Sequence, residues 1–191
     1  IVFHPKKYCD KIDARVTELN EVIDKKTDRI IIVFQKQEQK IYRRLLKKDT
    51  TAAQHFLQRS RARFVQLQQQ MITPGSLTRY IPYLDTLKTS LKFLQTNPSL
   101  SNESMVSLSM NKLQDLENSL QKTEILSNYL RNRKQELSEH LMEFGLLNDL
   151  KKVNKQVYYY TQQIAEYRTM LSDKNKLEQK TLNLLAKSKI F

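Results

Sequence analysis

"NKQVYYYTQQIAEYRTML", residues 154–171, sets three tyrosines side by side in a chain with nine tyrosines and no tryptophan. A half-buried strand needs apolar and polar residues to alternate, and Tyr158-Tyr159-Tyr160 followed by Thr161-Gln162-Gln163 does not alternate. A helix fits better. Leu150, Val153, Val157, Tyr160, Ile164, Tyr167 and Leu171 recur at steps of three and four, the spacing that lines up one face of a helix against a partner. The triple tyrosine is therefore one helical turn. Tyr160 falls in the seam, where its ring is buried and its hydroxyl needs a partner, while Tyr158 and Tyr159 flank it on other faces.

The same rhythm extends outward along the chain. From Lys6 to Asp49 there is neither Gly nor Pro, and Ile12, Val16, Leu19, Ile23, Ile30, Val33, Ile41 and Leu45 form a second seam. Lys26 and Gln37 occupy slots that this pattern leaves open, and Ile31 and Phe34 widen the stripe. "IIIVF" (30–34) would favour a strand in isolation, but its charged, helix-favouring flanks draw it into a helix of about 65 Å. Thr51 and Gln54 have capping-box spacing, which predicts a second helix over about 51–72, stopped by Pro74 and Gly75. Pro82 opens a third over about 82–96, with Leu84, Leu87, Leu91 and Leu94 as its stripe. Ser101 or Asn102 caps a second long helix over about 102–144, its face marked by Val106, Met110, Leu113, Leu116, Leu120, Leu130, Leu137, Leu141 and Phe144. Gly145 ends it. Helices over about 146–171 and 173–188 complete the chain, "SDKN" (172–175) capping the last, whose stripe is Leu177, Leu182 and Leu185.

Composition agrees. In 191 residues there are two glycines and four prolines, with 39% apolar and 28% charged residues, the profile of long helices with thin apolar layers. The expected fold is all-α: one domain over residues 1–191, an elongated antiparallel helical bundle or coiled coil with two long helices of matched length and shorter return helices. No apolar run approaches the roughly 20 residues of a membrane span. The lone Cys9 forms no intrachain disulfide. The chain starts at Ile1 rather than Met, which suggests a processed or trimmed product.

No enzymatic constellation emerges. Glu136, His140 and Glu143 share one helical stripe, but a di-iron bundle uses Glu-x-x-His on two helices with further glutamates on two more. Here the Glu-to-His spacing is four and no second copy exists, so the row reads as a solvated flank. His4 and Cys9 fall short of a four-ligand zinc site, and His55 has no acidic or thiol neighbour at ligand spacing. There is no phosphate loop and no nucleophile elbow. The expectation is no catalytic residue, no cofactor and no metal.

Charge carries more information. The net charge is +13. Residues 1–70 hold sixteen Lys/Arg against eight Asp/Glu, residues 71–143 eight of each, and residues 144–191 nine against four. The excess at the two ends of the sequence points to an acidic partner or surface. Lys36, Lys40, Arg43 and Lys47 form a stripe, Arg44 and Lys48 widen it, and Arg59, Arg61 and Arg63 follow in the next helix. Such a ridge can track phosphates. The preferred reading is a solvated face whose stems cover apolar surface, because the stripe has no aromatic interleaving and the chain no helix-turn-helix or RNA-module motif. Tyr158 and Tyr159 as base-stacking platforms fare worse, because their helix already spends its aromatics on a seam.

"FGLLNDLKKVNKQVYYYTQQIAEY" (144–167) and "IPYLDTLKTSLKFLQ" (81–95) resemble segments of exported helical, coiled-coil proteins of Gram-negative bacteria to which no function is assigned. The resemblance spans most of residues 10–190 and rests on no catalytic motif. It implies a periplasmic, extracellular or cell-envelope location in a larger assembly, a cytoplasmic one staying open, and it assigns no residue a role. The function expected is a non-enzymatic scaffold or protein–protein interaction module whose partners are protein subunits with acidic surfaces. The alternatives are nucleic-acid or anionic-surface binding through residues 36–63, and an injected or membrane-active toxin that would release an apolar helix.

Overall fold

The computed structural model describes the backbone of residues 4–74, 81–97 and 102–188, with side chains at all of these except 168, 170 and 172–188. Among the described residues there are five helices and no strand: α1 (Pro5–Lys48), α2 (Thr50–Ile72), α3 (Pro82–Thr96), α4 (Glu103–Glu143) and α5 (Leu147–Ser188). The all-α expectation holds, as does the helical reading of the tyrosine turn.

Helix ends follow from local chemistry. Pro82 sits in the first turn of α3, as expected. The side chain of Asn102 accepts from the Ser104 backbone N–H at 2.9 Å, satisfying one free donor at the start of α4. Gly145 has φ +71°. Its N–H donates to Met142 O at 3.1 Å, and that of Leu146 to Leu141 O at 2.8 Å. This double closure, with Leu141 and Leu146 both buried, is a Schellman cap. At α2 the cap is Asp49, whose carboxylate accepts from Ala52 N–H at 3.1 Å, and not the Thr51–Gln54 box. Asp49 lies one residue before the helix, where its side chain reaches the third N–H, so α2 starts at Thr50.

One predicted break is absent. The backbone of α5 is helical through residues 172–175, so the two helices expected over 146–171 and 173–188 are one of 42 residues. Neither Gly nor Pro interrupts residues 147–188, and a polar cap residue ends a helix only where the backbone is free to leave it. Among the described residues there are thus three long helices, not two. Gly75, Ser101 and the stripe Leu177, Leu182 and Leu185 lie outside the residues, or the side chains, that the structure describes.

The chain gathers into two compact units. The first comprises residues 1–24, 76–120 and 166–191. Its core is built from Cys9, Ile12, Val16 and Ile23 of α1, Tyr83, Leu87 and Leu91 of α3, Val106, Leu113 and Leu116 of α4, and Tyr167 and Leu171 of α5, all buried. Asp13 pairs with Lys112 at 3.8 Å, and Glu117 with Lys88.

The second unit comprises residues 25–75 and 121–165. Ile30, Phe34, Ile41 and Leu45 of α1 meet Phe56 and Leu67 of α2, Leu126, Leu130, Leu137 and Leu141 of α4, and Val153, Val157 and Ile164 of α5, all buried. Phe34 takes the slot expected for Val33, which is half-buried; a four-residue step from Ile30 keeps the stripe centred where a three-residue step would drift. Contacts give the pairing sense. Phe34 touches Tyr129 edge-on at 6.1 Å, and one turn later Glu38 meets Arg133, so α1 and α4 run parallel here. Phe56 stacks on His140 while Ser60 reaches Arg133, which makes α2 and α4 antiparallel. Each fully buried aliphatic or aromatic side chain contributes about 1.5–3 kcal/mol through area removed from water.

Candidate functional site

The α4 stripe in the second unit reads Leu126, Leu130, Arg133, Leu137, Leu141, and the arginine is 2% exposed. A guanidinium cannot be left there unpaired. Its Nε lies 3.3 Å from Glu38 Oε1, Nη2 lies 3.4 Å from Glu38 Oε2 and 2.9 Å from Ser60 Oγ, and Nη1 lies 3.1 Å from Glu136 Oε2. Its carbon sits 5.9 Å from the Phe56 ring centroid. Glu136 in turn holds Arg63 Nε at 2.9 Å. Two cations and two carboxylates from α1, α2 and α4 thus neutralise one another. Burial pushes the neighbouring Tyr129 hydroxyl well above its ordinary range, with Glu38 adding to the rise and Arg133 opposing it. Beside this chain of charges, α2 and α4 frame a groove of about 860 Å³ walled by amides, among them Gln66, Gln70, Asn128 and Asn132.

The row Glu136, His140, Glu143 is divided among other tasks. Glu136 serves the two arginines, and the His140 ring lies 6.3 Å from that of Phe56 and 5.1 Å from that of Phe144. Glu143 is exposed. Among the described residues no three His, Cys, Asp or Glu side chains are grouped to hold a metal. Cys9 is fully buried, and burial pushes its thiol up, away from the reactive thiolate.

All six residues of the basic stripe are exposed, but they do not act alike. Arg44 pairs with the buried carboxylate of Asp149, which Gln37 Nε2 also approaches at 3.4 Å. Lys48 Nζ donates to Phe144 O at 2.7 Å, covering a carbonyl at the end of α4. Lys36, Lys40, Arg43 and Lys47 make no ion pair among the described residues. Arg63 belongs to the Glu136 pair, whereas Arg59 and Arg61 are exposed. Of the α5 seam, Val153, Val157, Ile164, Tyr167 and Leu171 are buried, while Leu150 and Tyr160 are half-buried. Asp149 holds the buried position beside Leu150, and the Tyr160 ring packs edge-on against Tyr159 at 5.4 Å. Tyr158 and Tyr159 are 68% and 57% exposed.

Counting charge along the sequence misses its grouping. The second unit holds nineteen Lys/Arg against eight Asp/Glu, or +11 of the chain's +13. Three of those eight acids, Glu38, Glu136 and Asp149, are engaged by arginines. Arg133 itself escaped sequence reading because apolar periodicity skips a charged slot. The available signal was a cation at a three-and-four position of α4 with an acid, Glu38, beside the core stripe of α1.

Compared with protein-family models, with curated proteins and with solved structures, the chain matches none of them.

Proposed function

We propose that this chain is a non-enzymatic scaffold: an antiparallel helical bundle of coiled-coil type that joins or spaces protein subunits with acidic surfaces in a cell-envelope or secreted assembly. The observation that supports it best is the Glu38–Arg133–Glu136–Arg63 chain. It commits four charged groups at the centre of the second unit to holding three helices in one register. Buried ionic groups of this kind are best attested as specifiers of register, and fixed register is what a spacer requires. The excess of cations in the same unit supplies long-range attraction to acidic partners. The toxin reading has less support. Ile30 and Phe34 of "IIIVF" are core residues, and no helix among the described residues is long and apolar enough to cross a membrane.

Cross-linking in the source cell followed by purification under native salt tests the scaffold. The expected result is the same few acidic subunits in fixed stoichiometry. Recovery of the chain with no stoichiometric protein partner overturns the proposal.

A second reading, binding of a polyanion, is favoured by one specific observation: two exposed tyrosines stand on the same helix as three exposed lysines, Lys151, Lys152 and Lys155.

A further inference from the structure

The polyanion reading leaves its ligand open, and the seam between α1 and α5 in the second unit narrows it. Gln37 and Arg44 of α1 face α5, because both reach Asp149. Three residues further along a helix turns the side chain about 60° to one side. Lys40 and Lys47 therefore stand just outside this contact on α1, and Lys152 stands just outside it on α5, three residues beyond Asp149. Tyr159 follows Lys152 by seven residues and occupies the same outer row. All four are exposed. Arg44, near the end of α1, pairs with Asp149, near the start of α5, while the charge of Arg29, earlier in α1, reaches Tyr160, later in α5, so the two helices run antiparallel here, and Tyr159 comes level with the stretch between Arg29 and Lys36.

The outer row of α1 is longer than the stripe read from sequence. Lys25, Arg29, Ile32, Lys36, Lys40, Arg43 and Lys47 are separated by steps of three and four and are all exposed. They span about 33 Å. Apart from the exposed Asp28 near its start, the acids along this row are withdrawn. Between residues 29 and 48 the only acid is Glu38, and between 147 and 165 the only acid is Asp149; both are buried and paired with arginine. Every exposed formal charge on these two stretches is positive.

We infer that this face binds single-stranded nucleic acid, its phosphates along the cations of α1 and α5 and a base on Tyr159. A basic track with exposed rings is the combination that holds single strands without sequence preference. The Tyr159 ring is braced for this: Gln163 Nε2 donates to its hydroxyl at 2.9 Å, and Tyr160 packs against it edge-on. A lipid surface is disfavoured because Ile32 is the one aliphatic side chain in the α1 row, leaving little apolar surface to insert. A duplex is disfavoured because it hides its base faces from Tyr159.

The inference rests on the polyanion reading, and one set of titrations separates the two. Fluorescence anisotropy of labelled oligo-dT and oligo-rU at about 150 mM salt is expected to give saturable binding. Its log–log salt slope should be roughly −3 to −4, from about 0.7 per phosphate and four to six contacts. Tyr159→Ala should weaken binding about ten-fold or more with the slope unchanged. Lys40→Gln with Lys152→Gln should flatten the slope by about 1.4. Circular dichroism melts identify any variant that is unfolded, and Tyr159→Phe, which keeps the ring, should bind nearly as wild type. Equal affinity for duplex DNA, or for vesicles rich in phosphatidylserine, with Tyr159→Ala without effect, overturns the single-strand inference and leaves the polyanion reading standing. Release of every one of these probes by that salt overturns both.

Discussion

Arg133 of α4 and Glu38 of α1 face each other across 95 residues of sequence, the guanidinium Nε 3.3 Å from a carboxylate oxygen and both side chains almost wholly withdrawn from water. Removing one partner of such a pair leaves the other charge buried alone. Arg133→Met should destabilise the protein by about 3–5 kcal/mol in urea titrations. Glu38→Gln added to Arg133→Met should recover much of that loss, since the carboxylate then left at the contact, Glu136, is partly in water and keeps Arg63 as its partner. A double variant no better than the single one would show that Arg133 acts through packing on Phe56 rather than through its charge.

The cations of α1 divide into those that hold the fold and those that do not. Arg44→Met deprives the buried Asp149 of its arginine and should cost about 1–3 kcal/mol, a range set below that of a fully buried pair because Arg44 is itself partly in water. Lys36→Met and Lys47→Met, whose side chains make no ion pair among the described residues, should each fall within about 0.5 kcal/mol of wild type. Comparing midpoints at constant m-value checks the division.

Gly145 adopts φ +71°. A Cβ there would meet only Lys48 Nζ, at 3.8 Å, so the penalty is one of backbone conformation rather than of collision. Gly145→Ala should cost about 1–2 kcal/mol, and Gly145→Asn less, because asparagine visits the left-handed region more readily. Thermal unfolding of the three proteins should order them glycine, asparagine, alanine.

Burial pushes the Tyr167 hydroxyl from 10.0 up to about 12, with Glu166 adding to the rise. The unfolded chain therefore loses this proton at lower pH than the folded one. The associated stability is complete below about pH 10 and is lost as pH rises toward 12. Tyr167→Phe should flatten the decline in stability across that window, as read from urea midpoints at several alkaline pH values. An unchanged decline would assign it to other groups.

What could be read in advance followed from periodicity. The steps of three and four through Val153, Val157, Tyr160 and Ile164 required a helix, and Pro82, Asn102 and Gly145 mark ends whose chemistry is local. The α5 break was misread because a polar quartet resembles a cap, yet capping competes with helix propagation and loses where neither Gly nor Pro intervenes. The site was less legible because it depends on partners about a hundred residues apart. Nothing local distinguishes Arg44, committed to Asp149, from Lys47, three residues on. Nor does local sequence show that Tyr159 stays in water while Tyr167 does not.

The C-terminal end of α1 closes over the turn between α4 and α5: Lys48 covers the Phe144 carbonyl, and Arg44 neutralises Asp149. These contacts span 96 and 105 residues, and that separation imposes an order on biosynthesis. A ribosome must complete α1, α2, α3 and α4 before the segment that quenches Arg44 exists, at about 5–20 residues per second. For several seconds the nascent α1 carries Arg44 without its partner, and the apolar stripe of Ile30, Phe34, Ile41 and Leu45 without the α5 surface that later packs in the same unit. The second unit is thus a late-closing structure. Its growing N-terminal half depends on the chain's own charge repulsion, or on a holding chaperone, to stay apart from its neighbours until Asp149 emerges.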